Sequence, residues 1–163
     1  MRSRLYEIEH MLPELLQEED AWQDVFVNYH EPFVERLWRP YGEERIYLHC
    51  IQPCPLEKTL FHPHPWPSAM RLHGTYEMTF GYGSGDVPPP VGCTLTMTAG
   101  TVYEMIDPNG WHAVRALDRP AMSLMVTGKP WGRLSPKSDT PLPSLPQEER
   151  QKILSFFRLA YPR

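Results

Sequence analysis

At 163 residues the chain is long enough to bury one core without disulfide or metal staples, and a 41% hydrophobic share with 8 Tyr, 6 Phe and 5 Trp is that of a globular rather than a disordered protein. A net charge of −4 provides no basic footprint, which argues against nucleic acid as a partner. No run approaches the roughly 20 apolar residues needed to cross a bilayer, and the stretch Met1–His10 turns acidic where a leader needs its apolar run, so the expectation is a cytoplasmic protein without a membrane partner.

The first forty-odd residues read as helix. Leu5, Ile8, Leu12, Leu15 and Leu16 recur at helical spacing, with Pro13 expected to kink or split the segment. Asp20 and Gln23 resemble a capping box opening a second helix through Trp22, Val25, Phe26 and Tyr29. Pro32 suits the first turn of a third helix carrying Phe33, Leu37 and Trp38. From about Arg45 the period changes to two: Ile46/Leu48/Cys50, Met70/Leu72, Tyr76/Met78/Phe80, Leu95/Met97 and Leu124/Val126 alternate between Gly and Pro breaks, as short strands do. Gly83–Asp86 and the prolines after it form a surface loop, and the chain from 129 to 146 is proline-rich and extended. Ser144 and Gln147 then offer a cap for a last helix bearing Ile153, Leu154, Phe157 and Leu159. The result is one domain: a helical segment over 1–42, a β core over 45–128, and a Pro-rich segment with a C-terminal helix over 129–163. Nineteen prolines agree with many turns, and three cysteines (Cys50, Cys54, Cys93) without a leader read as reduced thiols.

Two elements carry chemistry. His62 and His64 flank Pro63, so on an extended chain both imidazoles leave one face, and neighbouring imidazoles suit Zn, Fe, Cu or Ni. About fifty residues later, Pro108-Asn109-Gly110 forms a tight turn with His112 two positions beyond it, at the opening of a strand. A Pro-x-Gly-x-His string arises by chance only about 0.05 times in such a chain, so the two elements together outweigh either alone.

Over residues 45 to 128 the sequence resembles the cupin superfamily. His62-Pro63-His64 with Gly74 matches its first motif; Gly100, Pro108-Asn109-Gly110 and His112 match its second, with one residue fewer than usual between the last glycine and the histidine. The resemblance implies a mainly β chain, a double-stranded antiparallel barrel of the cupin or jelly-roll type with flanking N- and C-terminal helices. It also implies one metal ion on His62, His64 and His112. Pro67 stands where the usual glutamate ligand would be, so the likeness is to three-histidine cupins such as the thiol dioxygenase type. Such a site leaves open positions on a divalent ion, with Fe(II) expected and Zn, Ni or Mn as alternatives.

Alternation places Glu77 outside the barrel, and Glu104 fares no better as a fourth ligand. Trp66, Tyr76, Tyr103 and Trp111 are candidates for an aromatic substrate pocket. Arg71 and Arg115 could pair with a substrate carboxylate but fall out of phase with the inward residues; His73 alternates outward with Arg71, and His10, His30 and His49 carry no motif. The functional expectation is a non-haem Fe(II)-dependent oxygenase acting on a small molecule. A non-catalytic binding or sensor cupin and a metal-free isomerase are the alternatives. A strand-rich chain also leaves sheet edges to cover, which suggests a homodimer.

Overall fold

The computed structural model describes residues 1–133 and 136–163; Leu134 and Ser135, inside the proline-rich segment, lie outside the described residues. Helix α1 (Arg2–Leu15) is followed by strands β1 (Gln23–Val27), β2 (Val34–Tyr41), β3 (Glu44–Ile51), β4 (His62–Pro63), β5 (Ser68–Leu72), β6 (Tyr76–Tyr82), β7 (Val91–Met97), β8 (Val102–Met105), β9 (Gly110–Ala116) and β10 (Ala121–Thr127), then helix α2 (Gln147–Ala160). The strands form two sheets, of order β1-β2-β3-β10-β5-β8 and β4-β9-β6-β7, and every strand pairing is antiparallel.

The six-stranded sheet is buried on both faces. On one side Ile46, Leu48 and Cys50 of β3 and Leu124 and Val126 of β10 meet Leu5, Ile8 and Leu12 of α1 and Ile153, Leu154 and Phe157 of α2. On the other, Tyr47 and Ile51 of β3, Met125 of β10, and Met70 and Leu72 of β5 pack with Tyr76 of β6 in the space between the sheets. The helices therefore seal the sheet from outside, and the second sheet closes it from inside. Gly74 permits a close crossing at the β5–β6 turn, because a Cβ there would stand 2.8 Å from the Cβ of Ala121.

Three sequence expectations are corrected. Residues 23–27 and 34–41 are strands β1 and β2 rather than a second and third helix, so the β structure begins well before residue 45. Both strands lie in a sheet buried on two faces, where polar–apolar alternation is lost and a helical spacing of large residues can arise by accident. Pro13 does not split α1: it sits in the last turn of a helix that continues to Leu15. Helix α2 does form, but Pro146 occupies its N-cap position without a side-chain cap from Ser144, and Leu159 is 84% exposed.

Candidate functional site

The turn before β9 sets the site's geometry. The backbone N–H of Gly110 donates to Asp107 O at 3.1 Å, and Asn109 N–H donates to Asp107 Oδ1 at 2.8 Å. The chain leaving this turn pairs β9 with the short β4 so that His62 lies directly opposite His112. Two residues along, His64 N–H donates to Gly110 O at 3.3 Å. The His112 ring centre lies 4.8 Å from that of His62 and 5.0 Å from that of His64. Local pairing, rather than distant packing, brings the three imidazoles together.

Their protonation follows from their neighbours. His62 Nδ1 lies 2.8 Å from Leu60 O and His64 Nδ1 lies 2.6 Å from Trp66 O. A carbonyl can only accept, so each Nδ1 carries the proton and each Nε2 keeps its lone pair, the arrangement that orients metal-binding histidines. Burial brings the pKa of both rings down to about 4, against the weaker opposing pull of those carbonyls. Burial likewise holds His112 well below the usual histidine value, and its Nδ1 is buried with no hydrogen-bond partner. At neutral pH the cluster presents uncharged imidazoles.

These donors fit a divalent transition metal in chemistry, and two of their ring separations, 4.8 and 5.0 Å, are near what a shared ion needs. With metal–nitrogen distances of about 2.1 Å, imidazoles sharing one ion have ring centres on the order of 5 Å apart. As the side chains stand, no three His, Cys, Asp or Glu side chains among the described residues are arranged to hold an ion, so closing the site requires at least one ring to turn.

The cluster opens into a cavity of about 210 Å³ between the sheets. Its lining includes His30, His49, His62, His64 and His112, together with Arg36, Trp66 and the apolar side chains Val27, Val34, Ile51 and Met125. No carboxylate lines it among the described residues. Of the expected aromatic pocket, only Trp66 faces this space. Tyr76 is fully buried in the core between the sheets, and Tyr103, beside that core, points its hydroxyl at Met70 Sδ, 2.9 Å away. Trp111, out of phase with His112 on β9, donates its indole N–H to Gly83 O at 3.0 Å and packs on Phe61.

The charged candidates are engaged elsewhere. Arg71 pairs with Glu9 of α1, and Arg115 donates to Glu77 at 2.7 Å and to Cys54 O at 3.0 Å. Glu104 lies against the N-terminal amine at 3.1 Å. Just past the end of β5, outward proves to mean toward a helix: His73, expected in solvent, sits against Phe156, Phe157 and Tyr161, with its Nε2 2.9 Å from the Tyr161 hydroxyl.

Sequence reading missed His30, His49 and Arg36. The His30 ring is 6.3 Å from that of His62, while His49 stacks on Tyr47 with ring centres 5.7 Å apart. The signal for His49 was its shared parity with Tyr47 and Ile51, hidden because the alternate residues of β3 are more apolar.

No protein-family model and no curated protein matches the sequence. Similar folds do occur among solved structures. Hydroxypropylphosphonic acid epoxidase from S. wedmorenis superposes with a TM-score of 0.53 at 11% identity, over 68% of this chain and 57% of the epoxidase chain. Fe(II)-HppE with the alternative substrate (S)-1-HPP gives 0.54 at 12% identity, over 68% and 58%. FeII HppE gives 0.51 at 14%, again over 68% and 58%. The chain thus spans less than three fifths of the length of these structures, and the likeness is one of fold. That fold is cupin-like: mainly β, two antiparallel sheets, with a helix at each end.

Proposed function

We propose that this protein is a metal-dependent cupin acting on a small molecule, with one divalent transition metal, Fe(II) first, held by His62, His64 and His112. The observation that carries the reading is the set of three neutral imidazoles, two of them with Nδ1 tied to backbone carbonyls, gathered at the wall of a partly open cavity. The structures of similar fold include iron-bound enzymes, which supports iron as the first metal to try.

A bound Fe(II) would supply open coordination positions for substrate and O₂ and would act as the redox centre of an oxygenase. The protein's own residues do the rest. Leu60 O and Trp66 O fix the His62 and His64 rings in the tautomer that offers Nε2. Val27, Val34, Ile51 and Met125 keep the cavity apolar and limit water, and Trp66 walls it beside His64. With Pro67 at the usual glutamate position, and Glu77 and Glu104 paired elsewhere, no carboxylate among the described residues joins the donors, which favours the three-histidine oxygenase type over the glutamate-containing one.

The test is metal loading under anaerobic conditions, followed by O₂ uptake with small-molecule candidates. Binding near one equivalent of Fe(II), lost in a His62/His64/His112 triple alanine variant, is the expected result. Unchanged metal content in that variant ends the proposal. A second reading, a metal-free binding pocket or isomerase with a histidine as base, draws on the fact that no three metal-ligating side chains among the described residues close on a point as they stand; it predicts ligand binding without any retained metal.

A homodimer is the assembly we favour. Strand β7, Val91–Met97, is paired only with β6 and carries neither charge nor proline to blunt its open edge. No helix among the described residues is long and apolar enough to cross a membrane.

A further inference from the structure

The chain that carries His62 and His64 has little ladder of its own. Strand β4 spans only His62 and Pro63, and Pro63, Pro65 and Pro67 have no N–H to donate. The segment from Gly128 to Arg133, which leaves the end of β10, supplies part of what that ladder lacks. Its backbone bonds the chain just past His64: Gly128 N–H donates to Pro67 O at 2.8 Å and Trp131 N–H to Pro65 O at 3.0 Å. The side chain of Arg133 then reaches the turn just before His112. Its Nη1 donates to Pro108 O, inside the Pro-Asn-Gly turn, and its Nη2 donates to Gly83 O at 3.2 Å and Gly85 O at 2.7 Å. The guanidinium lies over the Trp111 ring at 5.2 Å, and the Trp111 indole N–H shares the Gly83 O acceptor. Gly83 N–H completes the knot by donating to Asn109 O at 3.0 Å. Arg71 and Arg115 pair with carboxylates, whereas the acceptors of Arg133 among the described residues are backbone carbonyls of two separate loops. Such contacts fix relative position rather than balance charge, and a rigid planar fork is the side chain suited to that task.

We propose that Arg133 is a positioning residue for the histidine cluster. It braces the turn that leads into His112 against the segment that follows His64, and so sets where the His112 ring stands relative to its two partners. Metal–nitrogen bonds tolerate only about 0.2 Å, so slack of roughly an ångström in that turn is enough to carry one ring off a shared ion. Arg133 acts through backbone and through Trp111, which precedes His112 directly on β9. The purpose assigned to the brace rests on the metal reading above, while the brace itself is open to test in the metal-free protein.

The experiment compares metal-free wild type, Arg133→Gln and Arg133→Lys by hydrogen exchange, followed by Co(II) titration of the same samples with their visible absorption spectra. The probes are the amides of His64, Gly83 and Gly110 and the Trp111 indole, with the amides of Leu48 and Leu124 as references from the helix side of the fold. In Arg133→Gln the four probes are expected to exchange at least tenfold faster while both references hold. Co(II) affinity is expected to fall by about tenfold to a hundredfold, with altered ligand-field bands. Arg133→Lys keeps the charge but not the fork, and is expected to recover only part of each loss. Unchanged exchange at the probes overturns the assignment, as does unchanged Co(II) affinity and spectrum in a variant whose probes have loosened. Full recovery by lysine overturns it too, since charge alone would then suffice. Faster exchange at the references, or a variant that does not fold, assigns Arg133 to the core and likewise ends the proposal. A wild type that takes up no Co(II) refutes the metal reading instead, and the exchange rates then decide the brace alone.

Discussion

The two faces of the six-stranded sheet are both covered but chemically opposite. Toward the helices, β3 and β10 present Ile46, Leu48, Cys50, Leu124 and Val126, and the charged groups at that layer's margin find partners: Arg39 with Glu18, Arg71 with Glu9, Arg158 with Glu19. Toward the second sheet, the same strands and their neighbours present Arg36, His49, Ser123 and Trp66; among the described residues four buried polar atoms around the cavity have no partner (Arg36 Nε, His49 Nε2, Trp66 Nε1 and His112 Nδ1), against three on the helix side (Glu35 Oε2, Arg39 Nε and Arg158 Nε). An unpaired buried polar atom costs roughly 1–3 kcal/mol. Both faces therefore carry some of this cost, but only the cavity face gathers it around a cluster of histidines.

If this division is right, substitutions on the two faces should fail in different currencies. The largest effect is expected from His112→Ala, which removes the ring lying between the other two. Metal affinity should fall by more than a hundredfold while thermal stability holds or rises, as read by metal analysis beside a melting curve. Retained metal would place the ion elsewhere. On the opposite face, Leu124→Ala deletes a fully buried side chain wedged beneath both helices and should cost about 3 kcal/mol by denaturant titration, with metal affinity unchanged in the protein that remains folded. A comparable loss of metal affinity there would show that the faces are coupled.

How much of this could be read from sequence depended on the same division. Strands β5 and β6 alternate clearly, because their outward residues are Arg71 and Glu77, and the Pro-Asn-Gly turn announced the strand that carries His112. The three histidines converge through neighbouring backbone, β4 on β9, which is why a motif could find them. Strands β1 and β2 were misread because large residues occupy both of their faces, leaving a pattern that fits either period. Arg36 was hidden twice over: it lies on a strand taken for helix, and its lack of a partner is a property of the folded surroundings rather than of the string. The aromatic pocket was overdrawn for a related reason. Composition can say that tyrosines and tryptophans are inside, but not which of them border the empty space.

Acid should expose the cost of the cavity face. Since the folded pKa values of His62 and His64 lie near 4 and the unfolded value near 6.5, the unfolded chain binds more protons between those limits. Stability is therefore full above about pH 6.5 and declines as pH falls toward 4, by on the order of 3 kcal/mol for the well-buried His64. Melting temperatures of the apoprotein measured from pH 7.5 to 4.5 should show this slope, and the triple alanine variant should show a shallower one. An identical slope in both proteins would mean that acid acts elsewhere, with the helix-side ion pairs first in line.

The smallest effect concerns the edge that neither face covers. Leu95 on β7 lies opposite Met78 of β6, yet it is 49% exposed, on an edge strand that has no second partner among the described residues. A lysine there charges the open edge, as natural sheets do to discourage pairing, and in a monomer it should alter stability by no more than about 0.5 kcal/mol. If two copies join through β7, Leu95→Lys should shift the protein from dimer to monomer in sedimentation experiments while the cavity and its metal affinity stay as they were. A wild type that sediments as a monomer at all concentrations, or a dimer indifferent to the lysine, removes β7 from consideration and leaves the edge as a short, twisted strand that needs no cover.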